Sequence, residues 1–199
     1  MPVDYLTSGQ HKLKKANLFI IGAPKCGTTA LSEYLRYHPN VYISYPKEPS
    51  FFSSDLPGLQ YVKEEKEYIN LFKKQKDQHT IIGEASPAYL FSKTAIERIK
   101  QFNPDAYIII MIRKPLDMLI SYHQQLLYSL FEDQELLEEA WNQQENRSRG
   151  QNIPSTCREP KLLQYAEMTS FSTQIKRVLT YFPANRIKII LFDDFKNSP

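Results

Sequence analysis

A segment rich in glycine, proline and threonine near the N-terminus has the composition of a phosphate-binding loop. The segment GAPKCGTT follows the apolar run Leu18–Ile21, and helical spacing begins at Thr29. Backbone N–H groups in such a loop can bind an anion at the N-terminus of the following helix. Gly22 and Gly27 have the spacing of a Walker loop, in which the lysine follows the second glycine. Here Lys25 precedes it, so the segment predicts a phosphate site that differs from that of a nucleoside triphosphatase.

Arginine and serine side chains that could bind an anion occur in the segment IRKPLDMLISYHQQL. Arg113 stands at the end of an apolar run, and Ser121 follows eight residues later. A guanidinium offers several fixed donors to a phosphate, and a hydroxyl offers one more. Pro115 suits the first turn of a helix that would let both side chains face one anion. The alternatives are an ion pair between Arg113 and Asp117 and a Ser121 hydroxyl bonded to its own helix.

Polar segments also follow three further apolar runs. YPKEPSFF carries Glu48 after the second run, GEASPAYL carries Glu84 and Ser86 after the third, and Asp193 and Asp194 follow the fifth. Ligands in open α/β sheets bind outside the carboxyl ends of the strands. We therefore expect these segments to converge with the glycine-rich loop on one crevice. For Glu84, a carboxylate that braces a loop is the alternative.

The elements that must position these residues are predicted by apolar patterning. Strands are expected at Leu18–Ile21, Val41–Ser44, Thr80–Ile82, Tyr107–Ile112 and Ile187–Phe192. Helices are expected at Thr29–Tyr37, Lys63–Lys74, Lys93–Phe102, Pro115–Phe131 and Leu162–Phe182. The nearly continuous apolar runs suit strands buried on both faces. Together they predict a P-loop-like α/β fold of three layers, with a central, mostly parallel sheet, helices on both faces and long loops at 45–62 and 143–160.

Composition limits the class of protein. The 199 residues are 42% apolar with a net charge of +3, which favours one globular domain and gives no basis for binding nucleic acid. Residues 1–17 form a polar extension without the apolar centre of a secretory signal, and no apolar run reaches the about 18 residues that a membrane span needs. Cys26 and Cys157 are too few for a disulfide scaffold or a four-ligand zinc site. We therefore expect a cytoplasmic protein with no metal site.

The two phosphate-binding segments resemble those of a known enzyme family. GAPKCGTTAL is similar to the 5′-phosphosulfate loop of sulfotransferases that use 3′-phosphoadenosine 5′-phosphosulfate (PAPS), and IRKPLDMLISYHQQL resembles their 3′-phosphate-binding segment. The resemblance implies a donor without the β,γ-phosphate and magnesium arrangement of ATP, which accounts for the displaced lysine. The residues that it assigns to the donor are Pro24, Lys25, Cys26, Gly27, Thr28, Thr29, Arg113 and Ser121. The donor would leave as 3′-phosphoadenosine 5′-phosphate, without a metal.

The resemblance also implies the catalytic groups. YPKEPSFF looks like the segment of heparan sulfate and related carbohydrate sulfotransferases in which a glutamate before a Phe-Phe pair is the catalytic base. Glu48 would therefore be the base, and Lys25 would stabilise the leaving phosphate oxygen. A solvent-exposed loop glutamate paired with Lys47 is the alternative for Glu48.

Three histidines are rival bases, because the cytosolic sulfotransferases of small phenols and steroids use a histidine. His79 lies between the two donor motifs, in a polar turn that favours a solvated ring. His123 follows Ser121 closely and is expected to face the donor. His38 ends a predicted helix, where an interaction with the helix terminus is the simpler interpretation.

The segment GEASPAYL resembles that of bacterial-type members of the family. This implies that Glu84 and Ser86 line the cleft near the acceptor, whereas Ala85 replaces a lysine that is frequent in the carbohydrate enzymes. The resemblance covers residues 18–199, and family members usually continue with a helix and a basic loop, so we expect a domain that is incomplete at its C-terminus. It implies sulfuryl transfer to a hydroxyl or amine of a small molecule, lipid or carbohydrate. Acceptor identity and oligomeric state stay open.

Two other functions stay open from the sequence. An ATP- and magnesium-dependent P-loop kinase is disfavoured by the position of Lys25, but Asp193 and Asp194 after the fifth run could bind a metal. An inactive module that binds the nucleotide without turnover is the second alternative. Binding of the bisphosphate and of Mg-ATP would separate the kinase from the other two.

Overall fold

A five-stranded sheet lies at the centre of the structure, a computed structural model that describes residues 13–198. The strands are β1 (Leu18–Gly22), β2 (Val41–Ile43), β3 (Ile81–Ala85), β4 (Tyr107–Ile112) and β5 (Ile187–Leu191). Their order is β2-β3-β1-β4-β5, and every neighbouring pair is parallel. The predicted α/β fold with a central parallel sheet is confirmed.

Helices occupy the connections between the strands, and a further helix follows the last strand. They are α1 (Thr28–Arg36), α2 (Glu65–Asn70), α3 (Ala95–Phe102), α4 (Pro115–Tyr128), α5 (Leu137–Asn142), α6 (Gln144–Ser148), α7 (Tyr165–Met168), α8 (Phe171–Tyr181) and α9 (Phe192–Asn197). Short 3-10 turns lie at Pro87–Tyr89, Pro160–Leu163 and Ala184–Arg186. The helix from Pro115 begins at the proline, which has no N–H to leave unpaired in the first turn.

Strand β1 is central and is buried along its whole length. Phe19, Ile20 and Ile21 have no exposed surface, which requires cover on both faces of the sheet, as the continuous apolar run predicted. From β1 the chain proceeds to β2 and β3 on one side of the sheet, and it crosses later to β4 and β5 on the other. The carboxyl end of β1 is therefore the topological switch point, where ligands of such sheets bind.

The predicted helix Leu162–Phe182 is wrong, because the chain interrupts it twice. Its first residues belong to the 3-10 turn Pro160–Leu163, and the backbone angles just before α7 and just before α8 are not helical. The Gln174 side chain donates to the carbonyl oxygens of Glu167 and Met168 at 2.8 and 3.2 Å. These bonds satisfy acceptors that the end of α7 leaves free. Apolar spacing continues across the interruptions, so it could not reveal them.

The predicted loop 143–160 is wrong in its first part, which forms α6. Arg147 on this helix donates to the Glu132 carboxylate at 2.5 and 2.6 Å, and neither side chain has exposed surface. This buried ion pair fixes α6 to the segment after α4. The polar composition of residues 143–160 did not indicate such a contact. The predicted loop 45–62 contains neither helix nor strand.

Two strand ends differ from the prediction in ways that affect the site. Strand β3 continues to Ala85, so Glu84 lies inside the sheet instead of in the loop that follows it. Strand β5 ends at Leu191, and Phe192 begins α9. The predicted helix 115–131 ends at Tyr128.

Packed structure begins before residue 18, the predicted start of the domain. Ala16 is fully buried. The Asn17 N–H donates to the carbonyl oxygen of Ile82 at 2.7 Å, and the Asn17 carbonyl accepts from the Tyr107 N–H at 2.8 Å. Residues 1–12 of the predicted polar extension lie outside the described residues.

Candidate active site

The glycine-rich loop is held against neighbouring elements at the end of β1. The Ala23 N–H donates to the carbonyl oxygen of Met111 on β4 at 2.6 Å. A Cβ at Gly22 would lie 2.6 Å from the Cβ of Leu90 and 2.8 Å from the carbonyl oxygen of Pro87. Only glycine permits this approach of the two backbones, which explains the residue type at the end of the strand.

Gly27 connects the loop to α1. Its φ of 86° lies in the left-handed region, and a Cβ there would lie 2.8 Å from the ring of Phe192. Helix α1 has no acidic residue in its first turn, so the positive end of its dipole and its free N–H groups are available to an anion. Thr28 and Thr29 at this end of the helix line the cleft described below.

Lys25 extends from the loop to helix α4. Its Nζ donates to Oε1 of Gln125 at 3.1 Å. Gln125 lies four residues after Ser121 and therefore one turn further along the same face of the helix. The lysine that departs from the Walker pattern thus bridges the phosphate loop and the helix that carries Ser121.

Arg113 stands at the junction of β4 and α4. Its guanidinium lies 5.1 Å from the ring centre of Phe192. Its Nε is buried and has no hydrogen-bond partner among the described residues, which is uncommon for a buried polar group. The ion pair with Asp117 is absent from the salt bridges of residues 13–198. A guanidinium with an unused donor beside an aromatic ring is suited to a phosphate.

Glu48 reaches the same cleft from the segment after β2. Its φ is 62°, and its N–H donates to the carbonyl oxygen of Ala85 at 3.1 Å. Such a backbone conformation is uncommon for glutamate and is held by its surroundings. The side chain is 53% exposed and pairs with Nζ of Lys47 at 2.5 Å, whereas Phe51 and Phe52 are buried in the core. Glu48 therefore forms the ion pair with Lys47 that the alternative interpretation predicted. It also lines the cleft, as the catalytic interpretation requires.

These groups share one cleft of about 740 Å³. The predicted residues that line it are Pro24, Lys25, Gly27, Thr28, Thr29, Glu48, Arg113 and Ser121. They come from the loop after β1, the segment after β2 and the junction of β4 with α4. The switch point at β1 brings these three places to one edge of the sheet.

Cys26 does not line the cleft, although it belongs to the loop. Its side chain has no exposed surface. Burial raises the pKa of its thiol to about 12, against the opposing effect of the nearby Arg113 charge. The predicted contact of Cys26 with the donor can therefore come only from its backbone, and its small side chain packs in the core beneath the loop.

Glu84 and Ser86 are fully buried and also lie outside the cleft lining. The Glu84 carboxylate accepts hydrogen bonds from Tyr68 and Tyr89 at 2.8 and 3.0 Å and from Ser86 at 2.8 Å. The Ser86 hydroxyl accepts from the N–H of Ser50 at 3.1 Å. The longer β3 strand thus places both side chains behind the cleft wall, where they cannot contact an acceptor and instead brace the segment after β2.

The environment of Glu84 changes its titration. Burial raises the pKa of this carboxyl group to about 7, although the three hydroxyl donors lower it. The phenol groups of Tyr68 and Tyr89 have raised pKa values, chiefly because they are buried and also because they lie beside the Glu84 charge. A carboxyl group with hydroxyl neighbours is therefore the polar centre of this part of the core.

None of the three rival histidines lines the cleft. His38 and His79 lie in turns, where each ring accepts a hydrogen bond from a nearby backbone N–H. His123 is buried, with one ring nitrogen 3.1 Å from the hydroxyl of Tyr165 and the other 3.2 Å from the carbonyl oxygen of Glu135. His123 therefore faces away from the expected donor position, and Glu48 is the predicted base that the cleft contains.

Sequence reasoning missed several residues of the cleft. The helical spacing from Ser121 could have identified Gln125, but Phe192 was assigned to the end of a strand. A further set of large apolar side chains lines the cleft and had no signal of its own in the sequence. This set, the apolar wall, consists of Leu59, Tyr122, Leu126, Phe131, Leu162 and Met168.

The described residues contain no group of side chains suited to a metal ion, and Glu48 is the acidic residue that lines this cleft. Among residues 13–198, no three His, Cys, Asp or Glu side chains are grouped as a metal site. Asp193 and Asp194 lie exposed on α9. Nor does the described part of the chain contain a helix long and apolar enough to cross a membrane.

Residues 15–199 match the family model of the sulfotransferase domain. The chain is 33% identical to human heparan sulfate glucosamine 3-O-sulfotransferase 6, over 61% of this chain and 34% of that protein. It is 28% identical to mouse heparan sulfate glucosamine 3-O-sulfotransferase 5, over 90% of this chain and 49% of that protein. The chain thus spans between a third and a half of the length of these relatives.

A solved structure agrees with these matches. A sulfotransferase from Alicyclobacillus acidocaldarius superposes with a TM-score of 0.82 and 32% identity, over 94% of this chain and 76% of that chain. These comparisons give no support to the kinase alternative. The match of the family model to most of the chain, with the phosphate loop and Arg113 at one cleft, shows that the chain belongs to the sulfotransferase family.

Proposed function

We propose that this chain transfers a sulfuryl group from PAPS to a hydroxyl or amine acceptor. The observation that carries the proposal is the meeting of the phosphate loop, Arg113, Ser121 and Glu48 in one cleft. A bisphosphate nucleotide has two separate anionic groups, and the cleft has two separate sets of donors. The half-exposed carboxylate of Glu48 can accept the proton that an acceptor hydroxyl or amine loses.

The residues present fit the donor. Arg113 has a buried Nε without a partner, and together with Ser121 it would hold the 3′-phosphate. The N-terminus of α1, Thr28, Thr29 and Lys25 would hold the 5′ end. When bound, PAPS supplies the sulfuryl group, whose bond to the 5′-phosphate oxygen breaks as the acceptor oxygen or nitrogen bonds to sulfur.

Three side chains then have distinct parts in the reaction. Glu48 accepts the proton that the acceptor loses, and its half-exposed carboxylate is within reach of a ligand. The Lys25 ammonium stabilises the negative charge that develops on the leaving phosphate oxygen. Gln125 holds this ammonium by the hydrogen bond at 3.1 Å, so that little movement is needed at the moment of reaction.

A cytoplasmic location and the absence of a nucleic acid partner stay predictions. The two cysteines Cys26 and Cys157 are unpaired in the structure, and Cys26 is buried. Reduced thiols are compatible with a cytoplasmic location.

Binding of 3′-phosphoadenosine 5′-phosphate tests the donor site. At a hundred times its Kd, the bisphosphate should raise the unfolding temperature by roughly 5 to 10 °C in a thermal scan. Arg113→Ala and Lys25→Ala should each weaken binding by roughly 10- to 100-fold, because each removes a charged donor. Lys176→Ala, which removes an exposed lysine on α8, is the matched control and should bind normally.

Two results would contradict the proposal. One is stabilisation by Mg-ATP and none by the bisphosphate. The other is tight binding of the bisphosphate without transfer of labelled sulfate to any of a wide panel of alcohols, amines and glycans, which would favour the inactive binding module.

A further inference from the structure

The cleft has two halves that differ in chemistry. The half beside the phosphate loop contains the charged and hydroxyl groups of the proposed donor site. The apolar wall also lines the cleft, and its six side chains offer no charged donor to a phosphate. Leu59 and Phe131 are its part-exposed members, and the other four side chains are 1 to 6% exposed. The surface that a ligand could contact is therefore presented chiefly by Leu59 and Phe131.

Helix α4 shows how the two halves are ordered. Arg113 precedes the helix, and Ser121, Gln125 and Ser129 follow at four-residue intervals, each about 6 Å further along the axis. All four residues line the cleft. Because Lys25 Nζ lies 3.1 Å from Oε1 of Gln125, which is in the last turn of α4, the sulfuryl end of the donor would lie near that end of the helix.

Part of the apolar wall lies beyond this point. Leu126 and Phe131 follow Gln125 along the chain, so they lie on the side away from Arg113. An acceptor must approach sulfur opposite the leaving oxygen. It would therefore occupy the space between Glu48 and the apolar wall.

No lysine or arginine in the described lining of the cleft is free to pair with an anionic acceptor. Among its described lining residues, the lysines and arginines are Lys25, Lys47 and Arg113. The donor takes Lys25 and Arg113, and Lys47 pairs with Glu48 at 2.5 Å. A glycan with sulfate or carboxylate groups would lose hydration along the apolar wall without gaining ion pairs there.

The apolar wall is held in place from behind. The Tyr122 hydroxyl donates to the carbonyl oxygen of Leu162 at 3.0 Å. Behind it, the Tyr165 hydroxyl donates to Glu132 at 2.6 Å, and Glu132 is bound by Arg147 on both carboxylate oxygens. A surface fixed by buried polar bonds keeps its shape before a ligand arrives, which lowers the entropy lost on binding.

We propose that the acceptor is an alcohol with an apolar body, aryl or alkyl, whose hydroxyl lies at Glu48 and whose body packs on the apolar wall. This inference rests on the proposed function and names its acceptor class. The acceptor O–H loses its proton to Glu48, its oxygen bonds to sulfur, and the bisphosphate leaves with the electron pair of the broken S–O bond. The product is a sulfate monoester.

Binding of two homologous series tests the inference without requiring turnover. Kd values of 4-alkylphenols and of n-alkanols are measured by calorimetry, with and without saturating 3′-phosphoadenosine 5′-phosphate. Within the matching series, each added methylene should tighten binding by about fourfold until the wall is covered. The phenol and alkanol arms show which apolar body fits. Binding independent of chain length, or tighter binding of a heparin-type oligosaccharide, would overturn the inference.

Two substitutions locate the binding at the apolar wall. Phe131→Gln and Leu59→Gln, which alter the two part-exposed members of the wall, should each weaken the best alcohol by at least about tenfold and leave the Kd of the bisphosphate unchanged. Leu116→Gln is the matched control, because Leu116 is on α4 but is 64% exposed and outside the cleft. Equal alcohol affinity in all three variants would contradict the assignment, and the chain-length series in the unaltered protein stands even if a variant does not fold.

The two proposals fail in different ways. If the alcohols bind with the expected length dependence but no sulfate is transferred, the proposed function is contradicted and the apolar ligand site is supported. If sulfate is transferred to glycans in preference to alcohols, the proposed function is supported and the acceptor class is wrong.

Discussion

Glu48 combines an uncommon backbone conformation with a half-exposed carboxylate at the edge of the cleft. Its φ of 62° is held by one backbone bond to Ala85, so the surrounding structure, and not local preference, sets the direction of the side chain. A side chain that is positioned for a reaction is expected to be held in this way. Because Glu48 is not among the proposed donor-binding residues, its role can be tested separately from donor binding.

Glu48→Gln should lower kcat for the best acceptor by about 100- to 10,000-fold, because the amide cannot accept the acceptor proton. Donor affinity should stay within about twofold, since Glu48 does not belong to either phosphate site. Glu138→Gln, which alters an exposed glutamate on α5, serves as the control in the same radiolabelled sulfate assay. Undiminished turnover in Glu48→Gln would exclude Glu48 as the base.

Glu84 should make the stability of the protein depend on pH. In the folded state its pKa is about 7, raised by burial from the ordinary 4.5. Between these values the folded protein holds a proton that the unfolded chain releases, so the stabilising effect is complete below about pH 4.5 and is lost as the pH rises to about 7. At about 1.4 kcal/mol for each pKa unit, the loss is about 3 kcal/mol.

Urea unfolding at pH 5 and pH 8 measures this effect. Glu84→Gln should remove about 3 kcal/mol of the difference between the two pH values, because glutamine does not titrate in this range and can still accept a bond from Tyr68. Glu97→Gln, on the exposed side of α3, should keep the difference of the unaltered protein. An identical pH dependence in Glu84→Gln would show that this carboxyl group is ionised throughout.

At the scale of elements, one buried ion pair joins the segment after α4 to α6 and α7. Burial by itself would raise the pKa of Glu132, but hydrogen bonds from Arg147 and Tyr165 lower it to about 2. The pair therefore contributes its stability above the ordinary carboxyl pKa and loses it only as the pH falls toward 2. Phe131 directly precedes Glu132, and Leu162 lies three residues before Tyr165. The ion pair is therefore close in the chain to two members of the apolar wall.

Arg147→Met should lower the free energy of unfolding by about 3 to 5 kcal/mol, since it leaves the Glu132 charge buried and unpaired. The double variant Glu132→Leu with Arg147→Met should recover most of this loss, because no charge then remains buried. Arg149→Met breaks only the exposed pair with Glu145 and should cost less than about 1 kcal/mol. In urea titrations, a double variant no more stable than Arg147→Met would show that the pair itself is required.

At the scale of the whole molecule, the sheet and its binding edge could be predicted because both depend on local patterns. Continuous apolar runs such as YIIIMI identify buried parallel strands, and the glycine-rich loop marks the first of them. The parallel order then brings the predicted residues Lys25, Glu48 and Arg113 to one cleft. The residues of the proposed donor site could therefore be predicted from the sequence.

What could not be predicted depends on contacts between distant segments. Glu84 lies in the core because hydroxyl groups from Tyr68 and Tyr89 satisfy it there, and neither residue is marked as its partner by the sequence. The interruption of the helix at 162–182 and the apolar wall likewise arise from tertiary packing. A side chain such as Leu162 has the same apolar character whether it fills a core or lines a cleft.

Phe192 lies beside both elements that are proposed to bind the phosphates of the donor. Its ring fills the space that a side chain at Gly27 would need and also packs against the Arg113 guanidinium. The two elements therefore share one steric support at the start of the last helix, so changes made in them cannot be treated as independent. A substitution of Phe192 should therefore affect both parts of the proposed donor site at once.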